Sequence, residues 1–311
     1  MREIEITEIP PLQPHEQSLL AMHSLLNVFN VLRGELAMIG LALARDDELL
    51  VRSLAWCDAV VASLDDPAAG LATARAVGTH AAAVFAEIDT ALAAHPEKRG
   101  GPEVEESLAN LRSVFAILSV RAREQLARAE HPDRWEEFSV AELRRDFLAV
   151  FVAFEKNSHG RFRMIYNAAL QEPHDYYVDF KIESSAGDRL GMPAVFQDVL
   201  RDLVANGRKY TAPGGRITAA LYEDENPGML RIVVEDTGRG IPPDELAMVV
   251  HFGRRASNVG DVRTMGGGFG LTKAFLATKQ FGGRFWLASE LGVGTRIRIH
   301  VPRPTSANAI T

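Results

Sequence analysis

Two hydrophobic rhythms meet at His131-Pro132, and one layer of structure cannot satisfy both. Residues 15 to about 131 are rich in Ala, Leu, Arg and Glu, the composition of helices. Beyond that point come stretches in which apolar residues alternate every second position, the pattern of strands with one buried face. A chain of 311 residues is long enough for two domains, each with its own core.

In the first half, Pro67 with Gly70 and the stretch HPEKRGGP at 95–102 are the natural breaks. They predict helices near 15–44, 47–65, 69–94 and 103–130, with the first two open to running together. The expected arrangement is an antiparallel bundle, or part of a dimeric one. Met22, Leu25, Phe29, Leu32, Leu36, Ile39 and Leu43 alternate three and four apart. This heptad seam serves equally as an intrachain core or as a dimer contact, and both can hold at once.

The second half opens with a helix predicted over 139–157. Strands are predicted at 176–183, 216–223, 229–236, 284–289 and 295–301, and helices at about 193–210 and 271–281. In the last strand Arg296, Arg298 and His300 face one way, while Ile297, Ile299 and Val301 face the other. One half-buried sheet covered on one face by helices is an α/β sandwich, so the whole chain reads as α+β.

Charge and composition narrow the function classes. A formal net charge of −7 argues against a general nucleic-acid binder. The single cysteine, Cys57, allows no intrachain disulfide and no cysteine-based zinc cluster, and its apolar surroundings predict an inert thiol. No segment reaches the roughly 20 apolar residues of a membrane span. The start, MREIEITEIPPLQP, is acidic and lacks an apolar core, so it is not read as a signal peptide. A cytoplasmic protein without a membrane span is expected.

Four segments of the second half carry chemistry. In DLVANGRKYT (202–211), Asp202 and Asn206 are four apart and share a helical face. An Asn amide oxygen is a hard neutral ligand suited to Mg²⁺, and Arg208 and Lys209 can meet phosphate charge. In VEDTGRGIP (234–242), Asp236 ends a strand where a carboxylate can accept from an exocyclic amine, and Gly238 and Gly240 admit a ligand close to the backbone. GGGFGLTKAF (266–275) opens a helix whose free N–H groups suit an anion. LGVGT (291–295) is a tight turn before the last strand. Taken singly, these are a polar helix end, an ordinary turn, a hinge and a hairpin.

In this order, however, they resemble the N box and the three glycine boxes of the histidine kinase catalytic domain. That domain falls within the ATPase superfamily of gyrase, heat-shock chaperones, histidine kinases and MutL. VVHFGRR (249–255) resembles the family's F box through Phe252 and Arg254. The likeness covers about 138–304, the expected catalytic ATP-binding domain. It implies ATP held with Mg²⁺ on Asn206, adenine read by Asp236, and phosphates met by Lys209 and Arg254. Tyr210 would lie against the nucleoside, and a lid would span about 242–265. Gly238, Gly240, Phe252, Gly266, Gly268, Gly270, Leu271 and Thr295 complete the implied nucleotide-binding set. Asp202 stands where Glu is more usual in the family, and Gly207 replaces a typical Ala.

MHSLLNVFNVLRGEL (22–36) resembles the family's H box through His23, Asn27, Val31 and Gly34. His23 and Asn27 fall on a stripe apart from the heptad seam, as a phosphoacceptor imidazole needs. Asn27 could orient an attacking water or a partner's carboxylate. His15 is followed by Glu16 but has Leu19 where Asn or Thr is expected, and His80 has Val84 there. Ser24 replaces the usual acid beside the histidine and is a poor base, which turns attention to Asp202 or a partner.

Residues 15–131 are thus expected to form a helical dimerisation and histidine phosphotransfer domain with extra helices. The resemblance implies a soluble sensor-type histidine kinase of a two-component system. It would be a homodimer that autophosphorylates His23 from Mg-ATP and passes the phosphoryl group to a response-regulator aspartate. A serine protein kinase of the same superfamily and a non-catalytic phosphotransfer adaptor or scaffold are the alternatives. Only about a dozen residues precede the first helix, so no sensory domain is expected there.

Overall fold

Proline sets the start of three long helices, because its missing N–H falls where a helix has no acceptor to offer. A computed structural model describes residues 1–131, 133–156, 158, 160–224, 228–261 and 267–304, and omits the side chains of 23, 24, 27 and 153. The helices are α1 (Pro14–Ala44), α2 (Val51–Ser63), α3 (Pro67–Ala94) and α4 (Pro102–Glu130). Asp66 caps α3 by accepting from the Ala68 N–H at 2.9 Å. The chain divides into two compact units, Leu12–Pro132 and Met1–Pro11 with Asp133–Thr311.

In the helical unit, α1 and α2 do not run together. Arg45 adopts φ 56°, the left-handed conformation that ends a helix, and its N–H reaches the carbonyls of Gly40 and Leu41. Gly40 makes room for this turn, since a Cβ there would lie 2.2 Å from the Asp46 carbonyl oxygen. The heptad seam is buried within one chain, with Met22, Leu25, Phe29, Leu32, Leu36, Ile39 and Leu43 all at most 3% exposed. It packs with Leu54, Val60, Val77, Ile88, Leu111 and Leu118 in one core. The reading of that seam as a dimer contact is therefore replaced by the intrachain one. Cys57 is fully buried, and loss of hydration pushes its thiol up to about 12.

The other unit contains α5 (Val140–Lys156), α6 (Val195–Tyr210) and α7 (Gly270–Gln280). Its strands are β1 (Arg2–Ile6), β2 (Trp135–Ser139), β3 (Met164–Ile165), β4 (Tyr176–Ser184), β5 (Arg189–Pro193), β6 (Arg216–Asp224), β7 (Met229–Asp236), β8 (Arg284–Glu290) and β9 (Gly294–Pro302). Seven form one sheet in the order β1-β8-β9-β7-β6-β4-β3, and β2 pairs with β5. Phe151, Phe196, Leu203 and Phe275 from the helices bury the inner residues Ile217, Ile232, Phe285 and Ile299. On the other face Trp286 lies between Arg284 and Arg298, 4.7 and 5.1 Å from their guanidinium carbons. Among the described residues, no helix is long and apolar enough to cross a membrane.

The strand β1 has no counterpart in the sequence reading. It pairs antiparallel with β8, from Arg2 opposite Ser289 to Ile6 opposite Phe285. Ile6 enters the sheet core, while Glu3 and Glu5 meet Arg298 and Arg284 in two-bond ion pairs. The helical unit is therefore an insertion, bounded on both sides by chain that belongs to the sheet unit. Replacing Ile6 by Ala should lower the stability of the sheet unit by about 2–4 kcal/mol, the usual range for a buried aliphatic truncation. Replacing Glu3 by Ala should cost less than about 1 kcal/mol, since its pair is largely exposed. Urea unfolding followed by Trp286 fluorescence checks both values.

Candidate functional site

Helix α6 presents its polar face to the start of α7. A Cβ added at Gly270 would lie 3.0 Å from Asn206 Nδ2 and 3.7 Å from Asp202 Cβ. Glycine at that point thus leaves open space beside the amide that the sequence singled out. Leu271 follows, half-buried against the sheet core. Asp202 accepts from Lys273 Nζ at 3.1 Å.

Strand β7 ends at Asp236, opposite Ile217 on β6 and Thr295 on β9. Its carboxylate accepts from the Gly238 N–H at 2.8 Å and from the Thr295 N–H. Those bonds favour the ionised form, but desolvation outweighs them and pushes the pKa up to about 6. The glycines around it are spatial requirements. A Cβ on Gly238 would meet the Tyr210 carbonyl oxygen at 2.6 Å, and one on Gly240, at φ 69°, would meet that of Glu290 at 2.0 Å. Gly294 is equally confined, with the Asp236 carbonyl oxygen 1.9 Å from a Cβ. Gly207 differs, because a Cβ there would make ordinary contact with Asp236 Cβ at 3.5 Å.

Ser289, which the sequence reading passed over within its strand, ties these turns together. Its hydroxyl donates to the Gly294 carbonyl, accepts from the Ile241 N–H at 2.9 Å, and lies 2.9 Å from the Thr295 hydroxyl. It is buried, so each of these bonds is sheltered from water.

The chain after the Asp236 turn is anchored to it by Arg239. That guanidinium donates to the Asn258 carbonyl and to Asp261, both at 2.7 Å. Asn258 in turn donates to the Gly240 carbonyl. The Phe252 ring stacks on Phe269 at 4.7 Å, and Arg254 is exposed. Gly268, at φ 79°, allows the glycine cluster to approach the Arg254 carbonyl. Gly266 lies outside the described residues.

A cavity of about 420 Å³ lies between the end of α6, the Asp236 turn and the last hairpin. Lys209, Tyr210, Thr211, Thr237, Arg239 and Gly292 are among its lining. The Lys209 ammonium lies over the Tyr210 ring at 4.9 Å. The hydroxyl of buried Thr211 has no partner among the described residues, a group that a ligand or water could satisfy. Arg208 does not join Lys209 there, since its guanidinium lies over Phe154 of α5 at 5.5 Å. The structure thus groups Asp202, Asn206 and Gly270 on one contact, and Asp236, Gly238, Gly240 and Thr295 on another, with Lys209 and Tyr210 at the cavity. His23 and Asn27 lie on α1 of the helical unit, and their side chains are outside the described residues.

Residues 191–305 match the family described as Histidine kinase-, DNA gyrase B-, and HSP90-like ATPase. The adaptive-response sensory kinase SasA of Synechococcus elongatus is 38% identical over 35% of this chain and 28% of its own length. The histidine protein kinase DivJ of Caulobacter vibrioides is 33% identical over 34% of this chain and 17% of that protein. The sensor protein SrrB of Staphylococcus aureus is 37% identical over 34% and 18%. The similarity therefore spans well under a third of each of these relatives.

The raised pKa of Asp236 gives two pH effects of opposite sign. An acid that holds its proton more tightly when folded stabilises the fold at low pH. That contribution, about 3 kcal/mol for a shift from 3.8 to about 6, is full below pH 4 and lost as pH rises through 6. Were this carboxylate to accept from the amino group of a bound adenine, it would do so best ionised, and nucleotide affinity would fall as pH drops through about 6. Titration calorimetry of ADP between pH 5 and 8 should show this dependence in the wild type. Asp236→Asn should lack it and bind at least ~10-fold more weakly, a loss of about 1.4 kcal/mol.

Residues 191–305 belong to the histidine kinase-, DNA gyrase B- and HSP90-like ATPase family.

Proposed function

We propose that the chain is a histidine kinase of a two-component system, which transfers the γ-phosphoryl group of ATP to His23. The observation that carries this reading is the half-buried, desolvated carboxylate of Asp236, beside turns whose glycines Gly238, Gly240 and Gly294 have no room for a Cβ, in a unit that also sets Asn206 against Gly270. Three curated relatives of the matched region are themselves named as sensory or histidine kinases or sensor proteins. The reaction belongs in the cytoplasm, where ATP is available.

In this reading Asp236 accepts a hydrogen bond from the adenine amino group, and Gly238 and Gly240 let the base approach the backbone. Tyr210 covers the nucleoside, and Lys209 and Arg254 offset phosphate charge. Phe252, Gly268, Gly270, Leu271 and Thr295 would shape the remaining walls, and the resemblance adds Gly266, which lies outside the described residues. The Asn206 amide oxygen is a ligand of the hard, neutral type Mg²⁺ accepts, and the absence of a Cβ at Gly270 keeps its surroundings open. When bound, Mg²⁺ would neutralise phosphate charge. An imidazole nitrogen of His23 forms the new N–P bond as the bond from γ-phosphorus to the bridging oxygen breaks, its electron pair leaving on ADP. Asn27, one turn along α1, would orient the imidazole's partner or a water. The phosphoryl group would then pass to the aspartate of a response regulator.

The kinase would act as a homodimer, but not through the heptad seam, which α1 spends inside its own bundle. The apolar residues left exposed on α1 are Val31, Met38 and Leu41, and those on α4 are Ile117 and Val120. These two helices pack on each other and supply the surface for a second copy.

Incubating the full chain with γ-labelled ATP and Mg²⁺ should give an acid-labile, base-stable phosphoryl group. His23→Ala should abolish it while leaving nucleotide affinity within about 2-fold, since the change removes only the acceptor. Acid-stable label that survives in His23→Ala would instead indicate a serine kinase. Met38→Asp combined with Ile117→Asp should weaken dimerisation at least ~10-fold in sedimentation equilibrium, as charges replace contact surface.

A further inference from the structure

Helix α7 sends one cation into α6. Lys273 lies three residues after Gly270, its side chain only 11% exposed. Its ammonium is 3.1 Å from Asp202 Oδ2 and 3.8 Å from Asp198 Oδ2. Asp198 is buried and also paired with Arg201 at 2.9 Å, one turn further along α6. The cluster thus holds two cations and two carboxylates, as a group withdrawn from water requires. Asp202 is its more exposed acid, with 32% of its side chain open to solvent. The other oxygen of Asp202, Oδ1, makes no hydrogen bond among the described residues.

Asp198 has its partner on α6 itself, so burial alone does not require Lys273 to reach Asp202 as well. The ammonium instead fastens the carboxylate that lies one turn before Asn206 to the helix that begins at Gly270. Lysine suits two acceptors in different directions, because its three donors rotate about a single point charge. A carboxylate held at one oxygen loses rotamer freedom and keeps the second oxygen as a fixed acceptor.

Resting on the kinase reading above, we infer that Lys273 is a positioning residue for phosphoryl transfer, acting by fixing Asp202. As an attacking imidazole nitrogen bonds to phosphorus, the N–H at its other ring nitrogen becomes more acidic and needs a base, and the fixed Oδ1 of Asp202 is an oxygen suited to accept such a proton. Lys273 acts through Asp202 and not on the reacting atoms. Ser24, the neighbour of His23, is too weak a base for this task. An acid from elsewhere is then needed, and of the two sources the sequence raised, Asp202 or a partner, Asp202 is the one held in place by an ion pair.

Single-turnover labelling and binding of a fluorescent ATP analogue with Mg²⁺, on the full chain, separate the role from simple packing. Lys273→Met should slow labelling at least ~10-fold with affinity within about 3-fold, the mark of an interaction used in the transition state. Lys273→Arg should recover labelling to within about 3-fold, and Lys273→Met with Asp202→Asn should be no slower than the slower single variant, since both act through one group. An unchanged rate in Lys273→Met, a loss confined to nucleotide affinity, or additive losses would overturn the assignment. Should Lys273→Met unfold, Asp202→Asn decides, because it keeps Lys273 beside Asp198, and an undiminished rate there overturns it equally. A wild type that binds nucleotide but never labels His23 would sink the kinase reading and this assignment together. Normal wild-type labelling with an unaffected Lys273→Met would sink the assignment alone.

Discussion

The carboxylate of Asp236, withdrawn from water at the end of β7, is the constraint around which the candidate site is built. An ionised acid in that position is unfavourable unless donors face it, and two backbone N–H groups do, from Gly238 and Thr295. Supplying them requires β7 and β9 to end in register, and requires the turns after Asp236 and before Thr295 to pass within contact of each other. Hence Gly240 and Gly294 sit where any side chain would collide with a carbonyl, and Ser289 binds both turns from β8. The donors leave the acid short of full solvation, so its affinity for protons stays high.

A second constraint is the contact between α6 and α7. Gly270 keeps the space beside the Asn206 amide free of a Cβ, and Lys273 joins the two helices by charge one turn further on. The two halves of the site, the acid-bearing turns and the amide-bearing helix, are thereby held on one sheet. The chain that follows the Asp236 turn is anchored by Arg239 through Asp261 and Asn258. The charged and hydrogen-bonded links join separate segments, and the apolar core beneath is left to the alternating strand residues.

The helical unit follows a different logic. Its longest helix carries a heptad seam, a pattern that also builds coiled coils, and the four helices of one chain bury it completely. The unit leaves the sheet unit after β1 of the seven-stranded sheet and returns before β2 of the two-stranded one, so both of its ends are covalently attached to the same unit. Ion pairs between β1 and the outer face of β8 and β9 reinforce that attachment.

Much of this was legible in the sequence. The four helices of the first unit and the five longer strands of the second appear close to where periodicity places them, because each buries a continuous stripe or face. Asp202, Asn206, Asp236 and the glycines stood out through the order of their segments, since each segment taken singly is ordinary. Tertiary structure alone decided the rest. Strand β1 is five residues long and three of them are charged, so the alternation of Ile4 and Ile6 with Glu3 and Glu5 is too short to stand alone; only β8, some 280 positions away, completes it. Whether the heptad seam faced inward or toward a second copy depended on how α2, α3 and α4 packed, which spacing cannot encode. Arg208 and Lys209 are neighbours in sequence, yet one turns to Phe154 and the other to the cavity, since adjacent helix positions point about 100° apart. Lys273 and Ser289 gained their roles in the same way. A sequence records which groups a chain carries and their local period, whereas the partner of a charge or hydroxyl is set by what folding brings across from distant elements.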